Sequence, residues 1–319
     1  MNQRPMRIVC ATDLLPRSEA AVERAGLLAD HLDAELTLLH VVAPSESERA
    51  LEQTIRQTQA MLRSRARPPM WRAKGLPGTA IRTGNPARIV VEEVTRKPDA
   101  DLLILGPHRR RYVRDALEGT IAEKVMASRR CPVLMVQAPA NAEYRRVLLA
   151  LDVSPASAAA IRAAEKLVLS DEAAATIVHA QDPPYQGMLN YANVHMEHIA
   201  DHVQSWRSEA TRGIRRLVQN ESSDAERFAI HVETGHTVGG ILRTVEQFSP
   251  DLLVMGTRGG GRLRRALLGS VANSVIRQVH CDVMVVPAGT IPAFDARADA
   301  HVDTYLPNTS SPSTAGVLQ

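Results

Sequence analysis

Four small residues near the end of the chain have the spacing with the most chemical meaning: Gly256, Gly259, Gly269 and Ser270, set as Gly-x2-Gly-x9-Gly-Ser. The apolar run DLLVM ends at Gly256, and the segment SVANSVIRQV begins at Ser270 with apolar residues at 271, 275, 276 and 279, the stripe of a helix. A loop that leads from a strand into a helix presents unpaired backbone N–H groups and roughly half a positive charge, which together attract phosphate oxygens. Gly269 would let such an oxygen come close to the backbone, Gly256 and Gly259 would permit a positive φ or a tight approach, and Ser270 would cap the first helical turn. Arg258, inside the loop, counts with them as a candidate ligand residue. Asp152 ends a separate apolar run, RVLLAL, where its carboxylate would accept from a ribose hydroxyl or an adenine donor. Two plainer readings stand beside these: glycines that only turn the chain, and an aspartate that only caps the helix starting near Pro155.

The elements that would position these residues occur twice. Slid by 139 positions, RIVCATDLLPRSEAAVERA (7–25) lies over RVLLALDVSPASAAAIRAA (146–164), matching Asp13 to Asp152, Pro16 to Pro155 and Ser18 to Ser157. The same shift sets His40 on His179. Further along, a shift of 150 places residues 101–138 over 251–288 without a gap, with fourteen of thirty-eight positions identical. Such self-similarity marks a duplication.

Each copy alternates short β-branched runs with longer helical patterns, which points to βαβ units and a parallel sheet. In the second copy strands are expected at 146–151, 175–180, about 227–233, 251–255 and 282–286, and helices at 156–169, near 194–219, 237–248 and 270–279. In the first copy strands are expected at 7–11, 36–42, about 78–82, 101–105 and 132–136. The fold class is α/β: two tandem open-sheet, Rossmann-like domains, each with a five-stranded parallel sheet that binds ligands beyond the carboxyl ends of its strands. The boundaries expected are 1–138 for the first domain and 139–289 for the second, with 290–319, rich in Pro, Ser, Thr, Asn and Asp, as a disordered tail.

Composition narrows the function. Apolar residues make up 45% of the 319, but aromatics only 3%, so the cores must rest on Val, Leu, Ile, Ala and Met. A formal charge of +3 lacks the basic footprint of a nucleic-acid-binding domain, although Arg109–Arg111 with Arg114, and Arg262 with Arg264 and Arg265, are local clusters that are either solvated or close to phosphate. No apolar stretch has the length of a signal peptide or a membrane span, and Cys10, Cys131 and Cys281 form no CxxC pair. A cytoplasmic protein without membrane or nucleic-acid partners is expected. His195, His198 and His202 share a face of an expected helix, and 198/202 has chelating spacing, yet surface histidines are the plainer reading. His40 and His179 read as structural residues at the sheet's edge.

With its doubled pattern and glycine spacing, the chain resembles the universal stress proteins, of the tandem type with two such domains in one polypeptide. The resemblance spans about residues 5–288. It implies an adenine nucleotide alpha hydrolase-like fold and ATP, or another adenine nucleotide, with or without Mg, as the ligand. It also implies Asp152 near ribose or adenine, Ala180 beside the base, Met255 and Val271 lining the pocket, and Gly256, Gly259, Gly269 and Ser270 on the ribose and phosphates. The last strands, within CPVLMVQA and CDVMVVPA, are implied to pair the domains inside the chain, and a homo-oligomer is compatible with that. The first copy departs from the pattern: Gly106-Pro-His-Arg109 and Gly119-Thr120 put arginine where the middle glycine belongs. That arginine either blocks the loop or reaches for phosphate itself. No Walker-type lysine is present, which weighs against a fast phosphotransferase and leaves slow ATP hydrolysis at most. The expectation is a nucleotide-dependent stress-response regulator; a scaffold that ignores nucleotide is the alternative.

Overall fold

Runs such as RIVCA, LLIL and RVLLA are too apolar for a half-exposed sheet, and they form strands covered on both faces. The computed structural model describes residues 4–45, 47–66, 77–97, 99–107, 121–128, 131–140, 142–181, 196–257 and 269–289. In the first half β1 (Arg7–Ala11), β2 (Glu35–Val42), β3 (Gly78–Thr83), β4 (Leu102–Leu105) and β5 (Val133–Met135) alternate with α1 (Glu19–His31), α2 (Glu48–Arg65), α3 (Pro86–Val94) and α4 (Ile121–Ser128). In the second, β6 (Arg146–Ala150), β7 (Ala174–Gln181), β8 (Phe228–Thr234), β9 (Leu252–Gly256) and β10 (Asp282–Val286) alternate with α5 (Pro155–Leu167), α6 (Met196–Glu221), α7 (Thr237–Phe248) and α8 (Ser270–Ile276). The expected strands and second-copy helices all appear, with ends displaced by up to a few residues.

Within each half the strands are parallel, in the orders β3-β2-β1-β4-β5 and β8-β7-β6-β9-β10. The expectation of two five-stranded sheets needs one enlargement. β5 and β10 pair antiparallel, through Val133↔Val285, Leu134↔Met284 and Met135↔Val283, so one ten-stranded sheet runs through the molecule. These strands lie in the two segments implied to pair the halves. Both are buried on both faces, and joining them leaves no open edge at the centre of the sheet.

Alternate side chains divide into two cores. Val147, Leu149 and Val254 lie in the core that α5 and the end of α6 cover in the second half, whereas Leu148, Leu253 and Met255 lie in the one that α7 and α8 cover. The seam also carries a polar knot. The fully buried Asp282 accepts hydrogen bonds from the Gln137 and Ala138 amides at 2.7 and 3.1 Å and from the Tyr144 hydroxyl at 2.7 Å. Arg24 of α1 lies 3.5 Å from the same carboxylate, stacks its guanidinium 3.9 Å above the Tyr144 ring and donates to the Ala142 carbonyl. Burial, and next the charge of Asp282, raise the Tyr144 pKa well above the usual tyrosine value. One carboxylate thus ties α1, the residues Gln137, Ala138 and Tyr144 between the halves, and β10. The cysteine thiols are pushed up to about 12 by burial, as expected of unreactive thiols, although Cys281 is only partly covered.

Candidate functional site at the carboxyl edge

The strand order creates the place where a ligand fits. α5 leaves β6 over one face of the sheet, while α7 and α8 cover the other, so the chain diverges between the neighbouring strands β6 and β9. At such a switch point the carboxyl ends of two strands border a crevice. Ala150 of β6 is opposite Met255 of β9, which puts Asp152 and Gly256-Thr257 side by side just beyond the strand ends.

Asp152 is exposed and held by its own turn. Its Oδ1 accepts from the hydroxyls of Ser154 and Ser157, the latter at 2.7 Å, and its amide donates to Ser157 Oγ at 3.0 Å. Ser154, not Asp152, is the N-cap of α5, accepting from the Ser157 amide at 3.3 Å. Among the described residues Oδ2 accepts no hydrogen bond. Beneath it, His179 fixes the strand end: its Nδ1 lies 2.8 Å from the Leu151 carbonyl, and since a carbonyl only accepts, that nitrogen carries the proton. The ring is buried and stacks on Trp206 of α6, with centroids 6.2 Å apart. Residue type and spacing do not mark Ser154 or Trp206 as part of this edge, and Ser157 is marked only by its match to Ser18 in the repeat.

The glycine motif resolves into different jobs. Gly256 does not have a positive φ, and a Cβ there would lie 2.7 Å from the backbone carbonyl carbon and oxygen of Ala156. Close packing of α5 on β9 therefore requires this glycine by itself. Ser270 was expected to cap α8; instead Gly269 is the N-cap, Ser270 is the first helical residue, and no side chain caps the turn. A glycine cap has no side-chain oxygen to offer the first amides of the helix. Thr257 is anchored above β10, its amide donating to the Val286 carbonyl at 2.8 Å. Arg258 and Gly259 lie outside the described residues, as do Arg109–Arg111, Arg114, Gly119, Thr120, Arg262, Arg264, Arg265 and the 290–319 tail.

The apolar candidates belong to one core. Ala180 and Met255 are buried in the same core, and Val271 packs against that core. A Cβ on Gly240 of α7 would come within 2.9 Å of the Ala180 Cβ, so helix packing already demands a small residue at 180. His195 lies outside the described residues, and so do the side chains of His198 and His202, although the backbone of the latter two is in α6. Among the described residues no cluster of His, Cys, Asp and Glu is arranged to hold a metal, and no helix is long and apolar enough to cross a membrane.

The carboxyl edge of the first half has the same scaffold and a different finish. His40 Nδ1 donates to the Thr12 carbonyl at 2.8 Å, repeating His179 and Leu151. Asp13, however, accepts the Leu15 amide on Oδ1 at 3.0 Å and pairs through Oδ2 with Arg17. Burial acts to raise its pKa, but the Leu15 amide, Arg17 and Ser18 together outweigh that and hold it below the usual aspartate value.

Two matches to the family model described as "Universal stress protein family", over residues 5–137 and 143–287, decide the relationship. The chain belongs to the universal stress protein family. Universal stress protein A homolog 1 of Coxiella burnetii is 31% identical over 147 residues, covering 45% of this chain and 96% of that protein. Universal stress protein YxiE of Bacillus subtilis is 26% identical over 149 residues, again 45% of this chain and 99% of that protein. Each of these relatives thus corresponds to about half of the tandem chain. The crystal structure of a universal stress protein from Archaeoglobus fulgidus DSM 4304 covers 89% of this chain and 98% of its own, with a TM-score of 0.62 at 19% identity, and so shares the whole doubled fold.

Proposed function

We propose that the second half of this universal stress protein binds an adenine nucleotide, ATP first among them, and that occupancy acts as a regulatory state. The observation that carries this reading is the switch point between β6 and β9, bordered by an aspartate whose Oδ2 accepts no hydrogen bond among the described residues and by a helix whose N-cap is Gly269. The sequence Gly256-x2-Gly259-x9-Gly269-Ser270, the spacing implied for nucleotide-binding members, spans the loop between them. In this reading Asp152 accepts from the ribose or base and the loop amides hold phosphate, with or without Mg. Ala180, Met255 and Val271 form the apolar floor. Arg258 adds positive charge. With no lysine for the terminal phosphates, hydrolysis is slow or absent.

Gly259→Trp combined with Gly269→Asp tests the assignment. Asp at the N-cap would supply its own carboxylate to the first-turn amides and repel phosphate. Calorimetric titration with ATP should show one site per wild-type chain and none in the variant, with far-UV circular dichroism unchanged. Binding at wild-type affinity in the folded variant would overturn the site. Mass spectrometry of small molecules that co-purify with the protein identifies the nucleotide. The continuous sheet favours a second reading, an intramolecular pseudo-dimer acting as a scaffold, which an absence of binding at millimolar ATP would support.

A further inference from the structure

The two turns that follow β1 and β6 derive from one duplicated segment, yet they are closed in different ways. In the second half Val153 is 52% exposed, with its Cγ2 beside Gly213 of α6. Its counterpart Leu14 has φ 59°, in the left-handed region, and is 7% exposed, folded into the core. Leucine has no local reason to adopt that conformation, so contacts around it must impose it. Those contacts are visible. The Leu14 amide donates to Thr12 Oγ1 at 3.0 Å, where the second half has the apolar Leu151. Arg65, at the end of α2, donates to the Leu14 carbonyl at 3.0 Å and pairs with Glu19 of α1 at 3.2 Å. Arg17 then takes the outer oxygen of Asp13; the equivalent residue in the second half is Ala156, which has nothing to offer Asp152.

We infer that Arg17 and Arg65 form an internal latch that closes the carboxyl edge of the first half and makes the chain select nucleotide in the second half alone. The inference rests on the nucleotide reading given above. It adds a cause separate from Arg109. Arg17 occupies the acceptor that a ligand hydroxyl would need, and Arg65 pins the turn that would have to move. Neither contact is strong alone: the Arg17–Asp13 pair is partly exposed, and such pairs contribute about two- to fivefold each to an equilibrium. Together they should weaken binding in the first half by about tenfold.

The test silences the second half and restores the glycine pattern of the first. Two full-length proteins are compared, Gly259→Trp and Gly269→Asp with Arg109→Gly, and the same set with Arg17→Ala and Arg65→Ala added, both titrated calorimetrically with ATP after equal thermal stability is verified. The latch predicts that the second protein binds at least about tenfold more tightly than the first. Equal affinity, or no binding by either, overturns it. Failure of the nucleotide reading looks different: the wild-type chain then binds no ATP at all. A readout free of nucleotide uses Arg17→Ala alone, with the Asp13 carboxyl followed by carbon-13 NMR. Its titration should move up toward the ordinary aspartate range, and an unchanged midpoint would show that Arg17 does not hold it.

Discussion

Thr12 and Leu151 hold the same place in the two halves, and the rings of His40 and His179 donate to their carbonyls at the same 2.8 Å. Asp101 and Asp251 are likewise equivalent, each accepting backbone amides at the foot of a first strand, from Arg7 in one half and from Arg145 and Arg146 in the other. One residue beyond the histidine anchors the halves part: Asp13 is paired by Arg17, while the partners of the Asp152 carboxylate among the described residues are the hydroxyls of Ser154 and Ser157. Duplication has kept the groups that position the strand ends and changed those that face outward from them. A group buried under a sheet is constrained by many neighbours at once, whereas a turn residue is constrained by few.

The seam offers the largest effect with which to break this comparison. Asp282 is fully buried and serves four partners, but its equivalent in the first half is Pro132. Asp282→Ala leaves Arg24 buried without its counter-charge, so urea unfolding should show a loss of about 3–5 kcal/mol. Pro132→Ala should stay within about 1 kcal/mol of wild type. Similar costs would mean that the seam is held by strand pairing alone.

The glycines at the ends of β4 and β9 give the next effect. A Cβ at 256 meets the Ala156 backbone at 2.7 Å, while one at 106 meets Ser18 Cα at 3.2 Å. Gly256→Ala should destabilise by about 1–3 kcal/mol, as overpacking does, and Gly106→Ala by less than half as much. Equal melting temperatures for the two variants would remove this asymmetry.

Asp13 supplies the smallest effect. Its folded-state pKa is lowered, so its contribution to stability is complete above the unfolded aspartate pKa, about 4, and is lost as pH falls through the folded value. Because the pair with Arg17 is partly exposed, the contribution is less than about 1 kcal/mol. Chemical unfolding between pH 6 and pH 3 should show Arg17→Ala converging on wild type at the acidic end. A gap that widens toward acid would contradict the pairing.

The framework was legible because parallel strands buried on both faces are written as unbroken apolar runs, and because each pattern appeared twice. The site was legible only in outline. The spacing of Gly256, Gly259, Gly269 and Ser270 was plain in the sequence, but that Gly256 answers to Ala156, a hundred residues earlier, depends on how closely α5 settles on β9. Ser270 has the right residue type for a cap and lies one position too late, because the glycine before it already has the extended backbone of the cap, with φ −53° and ψ 147°. Leu14 gave no sign of a left-handed conformation, since leucine is not a residue that seeks it. Arg17 differed visibly from Ala156, but its meaning required knowing that one turn of chain brings it back to Asp13.

The antiparallel seam sets a direction for the whole molecule. Parallel halves joined through β5 and β10 must run opposite ways, so their carboxyl edges lie on opposite edges of one sheet of ten strands. A ligand at one carboxyl edge and a ligand at the other would lie at opposite ends of the strands. A partner docked over the crevice beside Asp152 would respond to what lies there and be blind to the turn that Arg17 closes. The chain thus has two unlike poles, although its halves descend from a single repeat.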